Sequence, residues 1–356
     1  MDDPVDDPVD DPVNDLALVT GGSGYFGSLL VAELRARGRR VRVLDLHDAD
    51  DRPADVDFVA GDIRSAVDVR RALDGVGAVF HNVAQVPLAR DKELFDSVNV
   101  GGTETLLRAC EDAGVRKVVH TSSSAVFGVP AANPVTRETV PRPAEAYGRA
   151  KYEGELLCQA AVSRGLDVTI VRPRTILGLG RLGIFGILFD WIADGAAVPV
   201  LGDGSNRYQF VHARDLADAC IRAGARPGPA TYNIGAEQFG TMRETVANLC
   251  EYAGTGARVV SLPVGATAAA MQATARLGLT PFGAYHWIMY SRSMWFDLAP
   301  AQQELGWRAA HTTDESFRES YDWFLAHRAE LTTSGGSAHR SLVRQGVLGV
   351  AKRLLR

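Results

Sequence analysis

Six short apolar runs alternate with helix-like stretches between residues 16 and 173, and this alternation constrains the fold more than any other feature of the chain. Each run is continuous and rich in β-branched residues, which is typical of strands buried on both faces of a parallel sheet. Six such strands joined by helices predict a doubly wound α/β domain. The six runs read LALVT, VRVLDL, VDFVAG, AVFHNVA, KVVHTSS and DVTIVRP.

The composition is that of a globular protein, with 46% hydrophobic and 23% charged residues. The net charge is −5, but the first fifteen residues hold seven aspartates, so residues 16–356 carry +2 and give no electrostatic argument for nucleic acid. Four cysteines lie far apart without the spacing of metal ligands, so we expect reduced thiols, a cytoplasmic protein and no metal site. With no run of eighteen apolar residues and no hydrophobic leader, we expect neither export nor a membrane span.

A glycine-rich turn follows the first apolar run. In LALVTGGSGYFGSLLVAELRARG, the residues Gly21, Gly24 and Gly27 separate the strand from the next helix. Glycines at this spacing permit a tight turn, let backbone N–H groups approach a pyrophosphate and allow close helix packing, while the helix N-terminus favours the anion. The segment therefore predicts dinucleotide binding, with Tyr25 and Phe26 in the same turn.

The second run ends at Asp45, 18 residues after Gly27. A carboxylate at this position can accept hydrogen bonds from the adenosine ribose hydroxyls and repel a 2′-phosphate. The sequence therefore predicts NAD rather than NADP.

Tyr147 and Lys151 lie four residues apart in the helix-like stretch AYGRAKYEGELL. This spacing places both side chains on one helix face. A free tyrosine, with a pKa of about 10, is a poor base at neutral pH, whereas a neighbouring ammonium favours the phenolate. Taken alone, the pair favours an exposed helix face on which Tyr and Lys fall at helical spacing, so its interpretation depends on the rest of the chain.

Seven motifs follow one another in a fixed order: TGGSGYFG, GDIR, HNVAQV, VNVGGT, TSSSAVFG, YGRAK and VRPRTILG. In their order and spacing they resemble the extended short-chain dehydrogenase/reductases, and in particular the NAD-dependent epimerase/dehydratase family. The likeness covers residues 16–178 and extends to Ala219 through GDGSNRYQFVHARDLADA. It implies a Rossmann-type sheet and an NAD-dependent enzyme that acts on an alcohol or ketone.

The resemblance also implies roles for individual residues. Tyr147 would be the general acid/base, and Lys151 would lower its pKa and hold the nicotinamide ribose. Ser123, the first residue of the family's Ser/Thr-x-x-x-x-Gly pattern, would bond the reacting oxygen, with Ser122 and Ser124 as alternatives. The other cofactor residues it implies are Asp62, Ile63, Asn82, Val83, Ala84, Pro173 and Asn99, the last supporting the site from its helix.

Three kinds of reaction compete within the family. Dehydratases carry an Asp-Glu pair after the catalytic hydroxyl residue, where this chain has Ser124 and Ala125, so dehydration is disfavoured. Epimerases of nucleotide sugars need no such acids, and we expect this reaction, with guanidinium groups available for the diphosphate. The substrate-binding residues we expect are Gln85, Ser123, Arg174, Thr175 and Arg207.

Two alternatives to the epimerase stay open. Epimerases commonly have asparagine at the place of Thr175, and VRPRTILGLG is closer to the 3-beta-hydroxysteroid dehydrogenases, which act on larger apolar alcohols. A non-catalytic NAD-sensing protein is the third hypothesis, although such proteins typically lack one residue of the Tyr147–Lys151 pair. We interpret His81, His120 and His212 as structural, and we expect Asp215 to cap or pair within ARDLADA.

The end of the chain combines a flexible linker with a basic amphipathic stretch. Five basic residues and no acid occur from Arg340 onward, which suits contact with an anionic membrane surface. The favoured alternative is a helix docked on the protein's own body or on a second subunit, since Gly346 and Gly349 weaken a free helix. We hypothesise peripheral contact at the inner membrane face through residues 339–356, and we expect a homodimer.

These features divide the chain into four parts. They are a disordered acidic tail (1–15), an NAD-binding Rossmann domain (16–178), a substrate lobe (179–330) whose segment at about 207–235 returns to the sheet, and a linker with the basic tail (331–356).

Overall fold

A computed structural model describes residues 16–85, 92–277 and 288–331, together with Lys352. The acidic tail, part of the aromatic-rich stretch and the rest of the basic C-terminal stretch lie outside these residues, so the predictions made for them are not addressed by the structure. No helix of the described part is long and apolar enough to cross a membrane.

Parallel strands form the main sheet. The strands of the described residues are β1 (Leu16–Thr20), β2 (Val41–Asp45), β3 (Asp57–Ala60), β4 (Val76–His81), β5 (Lys117–Thr121), β6 (Val168–Pro173), β7 (Thr175–Leu177), β8 (Val198–Leu201), β9 (Phe210–His212), β10 (Ala230–Ile234) and β11 (Val259–Leu262). Within this part of the chain, seven of them pair in the order β3-β2-β1-β4-β5-β6-β10. All six predicted strands are present, which confirms the doubly wound α/β fold.

Helices cover both faces of this sheet. They are α1 (Tyr25–Ala36), α2 (Ala66–Ala72), α3 (Gly102–Ala113), α4 (Ala146–Ser163), α5 (Phe185–Ala193), α6 (Ala213–Ala225), α7 (Met242–Ala253), α8 (Val264–Arg276), α9 (Ala299–Leu305) and α10 (Thr313–Leu331). A short helix (Lys92–Leu94) and a π-helical turn (Phe95–Gly101) lead directly into α3. The predicted helix in FGILFDWIADG is α5, and the predicted strand and helix around VHARDLADA are β9 and α6.

The continuous apolar strands are buried on both sides, as the sequence predicts. In β1, Ala17 and Val19 pack into a core with α1 and α6, whereas Leu16 and Leu18 pack into a second core with α2, α3 and α4. This alternation follows from the two-residue period of a strand. The sheet therefore lies between two apolar cores.

The second half of the chain divides between the sheet and a smaller lobe. ATYNIG becomes β10 at the edge of the main sheet beside β6, whereas β9 pairs with β7 in a separate small sheet. A third apolar core gathers α5, α7 and α10 with the β8–β11 pair. The lobe stands next to the carboxyl ends of the main strands, where ligands bind in open α/β sheets.

Candidate active site

A cavity of about 620 Å³ crosses the carboxyl ends of the main strands. The glycine turn, Asp45 and Asp62 line it where β1, β2 and β3 end. Ser123, Tyr147, Lys151 and Arg174 line it where β5 and β6 end, so one cavity collects most of the predicted site residues. The predicted residues in its lining are Gly21, Gly24, Tyr25, Phe26, Gly27, Asp45, Asp62, Ile63, Asn82, Val83, Ala84, Gln85, Ser123, Tyr147, Lys151, Pro173, Arg174 and Thr175.

The glycine turn is too tight for side chains. Gly21 has a φ of +71°, and a Cβ on Gly27 would lie 2.0 Å from the carbonyl oxygen of Gly21. The turn delivers the chain into α1, whose N-cap, Gly24, offers no side-chain cap to the first N–H groups of the helix. Such a helix start suits a phosphate group.

Two carboxylates face the cavity beside this turn. The two oxygens of Asp45 accept hydrogen bonds from the backbone N–H groups of Ser23 at 3.1 Å and Leu46 at 2.8 Å. Each oxygen keeps a lone pair for a further donor, as a ribose hydroxyl requires. The carboxylate of Asp62 is held by Arg64 at 2.5 Å, and hydrogen bonds from Arg64 lower the pKa of Asp62.

The segment after β4 is tied down by polar contacts. Thr121 donates to the Oδ1 atom of Asn82 at 2.6 Å. The side chain of Asn99 accepts from the N–H of Gln85 at 2.7 Å and donates to its carbonyl oxygen at 3.2 Å. Asn99 is not among the described residues that line the cavity, so it fits the supporting role implied by the resemblance rather than a direct contact with the cofactor.

Tyr147 and Lys151 extend from the first two turns of α4 into the cavity. Glu145 caps this helix by accepting from the N–H groups of Tyr147 at 2.8 Å and Gly148 at 2.6 Å. Lys151 is buried, and its Nζ donates to the carbonyl oxygen of Thr121 at 2.9 Å. Burial lowers the pKa of Lys151 to about 8, so the ammonium predominates at pH 7 and loses its proton above pH 8.

The three consecutive serines after β5 have different partners. Ser122 donates to the buried carboxylate of Glu155 at 2.5 Å, and Ser124 accepts from Arg174 at 2.9 Å. Ser123 is the most exposed of the three, and its Oγ accepts from the N–H of Ala125 at 3.1 Å. Because its O–H group has no acceptor among the described residues, Ser123 is the serine best placed to bond a substrate oxygen.

Not all predicted substrate residues come together. The hydroxyl of Thr175 contacts the hydroxyl of Tyr208 at 3.0 Å, and Arg174 is buried beside Ser124. Arg207 is exposed, with its guanidinium 4.8 Å from the ring centre of Phe239 and 4.9 Å from that of Trp295. It is not part of the described cavity lining, so the structure separates Arg207 from Arg174.

Arg181 is a charged cavity residue that the sequence analysis missed. It lies in the loop after β7 and lines the cavity. Burial lowers its pKa, although Tyr25, Tyr147 and Tyr290 act in the opposite direction. Its position in the glycine-rich segment LGLGRLG is the only local signal that could have drawn attention to it.

Glu155 was missed as well. Its carboxylate is fully buried and receives Nε and Nη2 of Arg172 at 2.8 and 2.6 Å, in addition to Ser122. The sequence could have indicated Glu155, because it follows Lys151 by four residues and therefore lies on the same face of α4.

The histidines interpreted as structural have protein partners or are buried. His81 contacts the hydroxyls of Thr20 at 2.8 Å and Thr103 at 3.0 Å, and burial followed by the charge of Lys151 lowers its pKa to about 3. Burial also lowers the pKa of His120. Both rings therefore stay neutral near pH 7.

The expectation for Asp215 was wrong. It bonds the Nδ1 atom of His311 at 2.9 Å, far away in the sequence, rather than a residue of its own helix. The ring of His311 stacks on His212, which also contacts Glu319 at 2.6 Å. His212, His311 and Glu319 could in principle hold a metal ion, but the N–H of Arg214 donates to Nδ1 of His212, so its proton lies on the Nε2 that faces Glu319.

The comparisons with known proteins agree with this geometry. The model of the NAD dependent epimerase/dehydratase family matches residues 17–235, and the chain belongs to that family. The family confirms the predicted resemblance and the predicted cofactor, NAD. The residues of the cavity fit this cofactor, with the glycine turn for the pyrophosphate and Asp45 for a ribose.

Relatives occur in more than one branch of the family. A Sinorhizobium fredii protein, uncharacterized protein y4nG, is 52% identical over 341 residues, covering 96% of this chain and 86% of its own length. The UDP-glucose 4-epimerase of Mycolicibacterium smegmatis is 35% identical over 61% of this chain and 76% of its own length. The Mus musculus sterol-4-alpha-carboxylate 3-dehydrogenase, decarboxylating, is 33% identical over 61% of this chain and 62% of its own length.

A solved structure is similar over most of the chain. MoeE5 in complex with UDP-glucuronic acid and NAD superposes with a TM-score of 0.71 and 29% identity, covering 88% of this chain and 99% of MoeE5.

Proposed function

We propose that this chain is an NAD-dependent epimerase of a nucleotide sugar that works through a transient keto sugar. The observation that supports this proposal most is the meeting of Ser123, Tyr147 and Lys151 in one cavity with the glycine turn and Asp45. A sensor that only binds the dinucleotide has no need for these three side chains at the same place.

Each of the three residues has a defined part in the proposed chemistry. NAD, when bound, supplies the hydride acceptor for the alcohol carbon. Tyr147 takes the proton of the alcohol and returns it to the oxygen when the ketone is reduced, while the ammonium of Lys151 favours the phenolate. Ser123 donates its O–H to the reacting oxygen. Inversion follows when the keto sugar presents its other face before reduction.

The nucleotide-sugar class is supported by two relatives. One is a UDP-glucose 4-epimerase, and MoeE5 is seen with UDP-glucuronic acid. The absence of the Asp-Glu pair, replaced by Ser124 and Ala125, supports epimerisation over dehydration. Arg174 and Arg181 in the cavity supply cations for an anionic substrate.

A second candidate is a dehydrogenase of a hydroxysteroid or hydroxy-lipid. It is favoured by the likeness to the sterol-4-alpha-carboxylate 3-dehydrogenase and by Thr175, which stands where epimerases commonly have asparagine. In this candidate Tyr147, Lys151 and Ser123 keep the same parts, but the ketone leaves the cavity as the product.

A turnover assay separates the candidates. The purified protein is incubated with UDP-glucose, with UDP-glucuronic acid or with a 3-hydroxysteroid, and both the sugar products and the absorbance of NADH are followed. An epimer without net NADH supports the first candidate, whereas NADH that grows with added NAD supports the second. Bound NAD with no turnover of any substrate would favour the sensor.

Contact with a membrane through residues 339–356 also stays a proposal, as does a homodimer. Of that segment the structure describes Lys352 alone, which pairs with Asp190 and Asp194 next to the end of α5. This contact supports the docked alternative. Flotation with anionic liposomes, comparing the full chain with a chain that ends near Ser334, distinguishes the two: only a membrane-binding tail makes the full chain float better.

A further inference from the structure

Arg174 is a buried cation without a carboxylate partner among the described residues. Its side chain is 1% exposed. The Nη1 atom donates to Ser124 at 2.9 Å and lies 3.0 Å from the sulfur of Met294. The Nε and Nη2 atoms, also buried, have no hydrogen-bond partner in the described part of the chain.

Arg172, two residues earlier, shows how the Nε and Nη2 atoms of an arginine bind a carboxylate. It uses Nε and Nη2 together to hold the buried carboxylate of Glu155 at 2.8 and 2.6 Å. Arg35 uses the same edge on the surface, where Nε and Nη2 hold Asp55 at 2.9 and 2.6 Å. This edge of a guanidinium matches the two oxygens of a carboxylate. On Arg174 it has no such partner.

Aromatic rings compensate for only part of the burial of Arg174. Its guanidinium carbon lies 4.5 Å from the ring centre of Tyr208 and 5.7 Å from that of Phe296. Cation–π contacts of this kind are weaker than a hydrogen-bonded ion pair. A buried charge without its counter-ion is costly to the fold, so a role in binding an anion is a physical reason for its presence.

The charges around the cavity point the same way. Among the described lining residues, the acids are Asp45 and Asp62, both at the ends of β2 and β3. At that end the cation of the lining is Arg64, which pairs with Asp62. Lys151 and Arg174 lie at the other end, and Arg181 lies 5.4 Å from the ring centre of Tyr25. The end that holds Lys151 and Arg174 therefore carries an excess of positive charge and attracts an anionic substrate.

The position of Arg174 places the anion close to the reacting carbon. Thr121 of β5 is aligned with Val171 of β6, and Ser124 and Arg174 each follow three residues later. Arg174 therefore contacts the serine that adjoins Ser123. A diphosphate would also match a guanidinium, but a group held at this point lies next to the oxygen that Ser123 bonds.

We propose that Arg174 binds a carboxylate that the substrate carries near its reacting carbinol carbon. This inference rests on the proposed function and narrows it, since the nucleotide sugar would then be a uronic acid. The Nε and Nη2 atoms are enclosed, so a neighbouring side chain must move when the carboxylate arrives.

The test compares two substrates that share a nucleotide and a diphosphate. UDP-glucuronic acid and UDP-glucose differ only at C6 of the sugar, which is a carboxylate in the first and a hydroxymethyl group in the second. We expect the wild-type protein to prefer the acid by about 10- to 100-fold in kcat/KM, the value of one charge-assisted contact. In Arg174→Met this preference should disappear, because kcat/KM for UDP-glucuronic acid falls at least 10-fold further than kcat/KM for UDP-glucose. Equal losses for both sugars would show that Arg174 contacts the diphosphate and would overturn the inference, as would an unchanged preference.

Two controls address folding and charge. Arg174→Met removes an unpaired buried cation, so its Tm should equal or exceed that of the wild-type protein, and Arg174→Lys should keep part of the preference through its charge. Arg108→Gln, on the exposed surface of α3, changes an arginine far from the cavity and should leave the preference intact. Loss of the preference in Arg108→Gln would contradict a local effect at Arg174.

A binding measurement separates the inference from the proposed function. The rise in Tm caused by each nucleotide sugar is measured on the NAD-loaded protein. If the wild-type protein turns over neither sugar, the proposed epimerase is wrong. The carboxylate site is still supported if UDP-glucuronic acid raises the Tm more than UDP-glucose and Arg174→Met abolishes the difference. Equal Tm shifts with both sugars, or with neither, would overturn it.

Discussion

The two ends of the cavity are lined by different chemical groups. Where β1, β2 and β3 end, the lining includes glycine backbone and the carboxylates of Asp45 and Asp62, the second paired with Arg64. Where β5 and β6 end, the lining includes hydroxyls and cations, among them Tyr147, Lys151 and Arg174. Backbone N–H groups and acids suit a cofactor with a pyrophosphate and ribose hydroxyls, whereas a phenol and cations suit proton transfer and an anionic substrate. Changes at one end should therefore affect cofactor choice, and changes at the other should affect the rate.

The largest effect is expected at Tyr147. In Tyr147→Phe the acid/base hydroxyl is lost and the ring, which lies edge-on 6.2 Å from Phe95, is retained. We expect kcat to fall by about 10²- to 10⁴-fold, while the dissociation constant for NAD changes little. Steady-state kinetics with the substrate found by the turnover assay and calorimetric titration of NAD measure the two quantities.

Tyr152→Phe is the matched control, because it removes the same atom from the same helix. Tyr152 packs against the apolar core and is not part of the described cavity lining. It should keep full activity. If Tyr147→Phe keeps more than about a tenth of the activity, Tyr147 is not the general acid/base.

Replacing Lys151 is expected to have two effects of opposite sign: activity is lost, and the free energy of unfolding rises. The pKa of Lys151 falls from 10.5 to about 8 on folding because burial disfavours the ammonium. Below pH 8 the lysine is charged in both the folded and the unfolded protein, so the folded protein bears the full free-energy cost of burying the ammonium. Between pH 8 and 10.5 the folded protein releases the proton while the unfolded chain keeps it, so the cost declines as the pH rises.

Lys151→Met removes this cost together with the activity. The shift corresponds to about 3 kcal/mol, and the lost hydrogen bond to Thr121 offsets about 1 kcal/mol. We expect the free energy of unfolding to rise by about 2 kcal/mol at pH 7, with a gain near zero by pH 10. Urea unfolding at the two pH values measures it. A gain that grows with pH, or an active variant, would contradict the assigned state of Lys151.

The difference between the two ends also explains what the sequence could predict. The glycine turn and Asp45 belong to one strand–turn–helix–strand segment, so their spacing along the chain already defines their place in space. The six strands were equally predictable from the sequence, because each is a continuous apolar run. Tyr147 and Lys151 were found for the same reason, since both lie on one helix.

The partners that Glu155, Arg174 and Asp215 have in the fold could not be predicted, because they depend on contacts between distant segments. Glu155 and Arg172 lie on α4 and β6, and the burial of Arg174 depends on Met294, which comes from the second half of the chain. Arg207 and Arg174 looked equivalent in sequence, yet only Arg174 lines the described cavity. Asp215 was assigned to its own helix because local spacing cannot reveal a partner such as His311.

The smallest effect is expected at Asp45. Asp45→Asn keeps an oxygen that can accept from Ser23 and from a ribose hydroxyl, but it removes the negative charge that repels a 2′-phosphate. We expect the NADP/NAD ratio of kcat/KM to rise about 10-fold, equivalent to about 1.4 kcal/mol, with kcat for NAD nearly unchanged. The measurement uses both cofactors in the oxidative half-reaction, and Asp48→Asn serves as the control, since Asp48 pairs with Arg52 in the following loop.

A wild-type protein that already prefers NADP, or an equal change in Asp48→Asn, would mean that Asp45 does not select the cofactor. A fall in kcat instead of a change in the ratio would mean that the two ends of the cavity do not act separately.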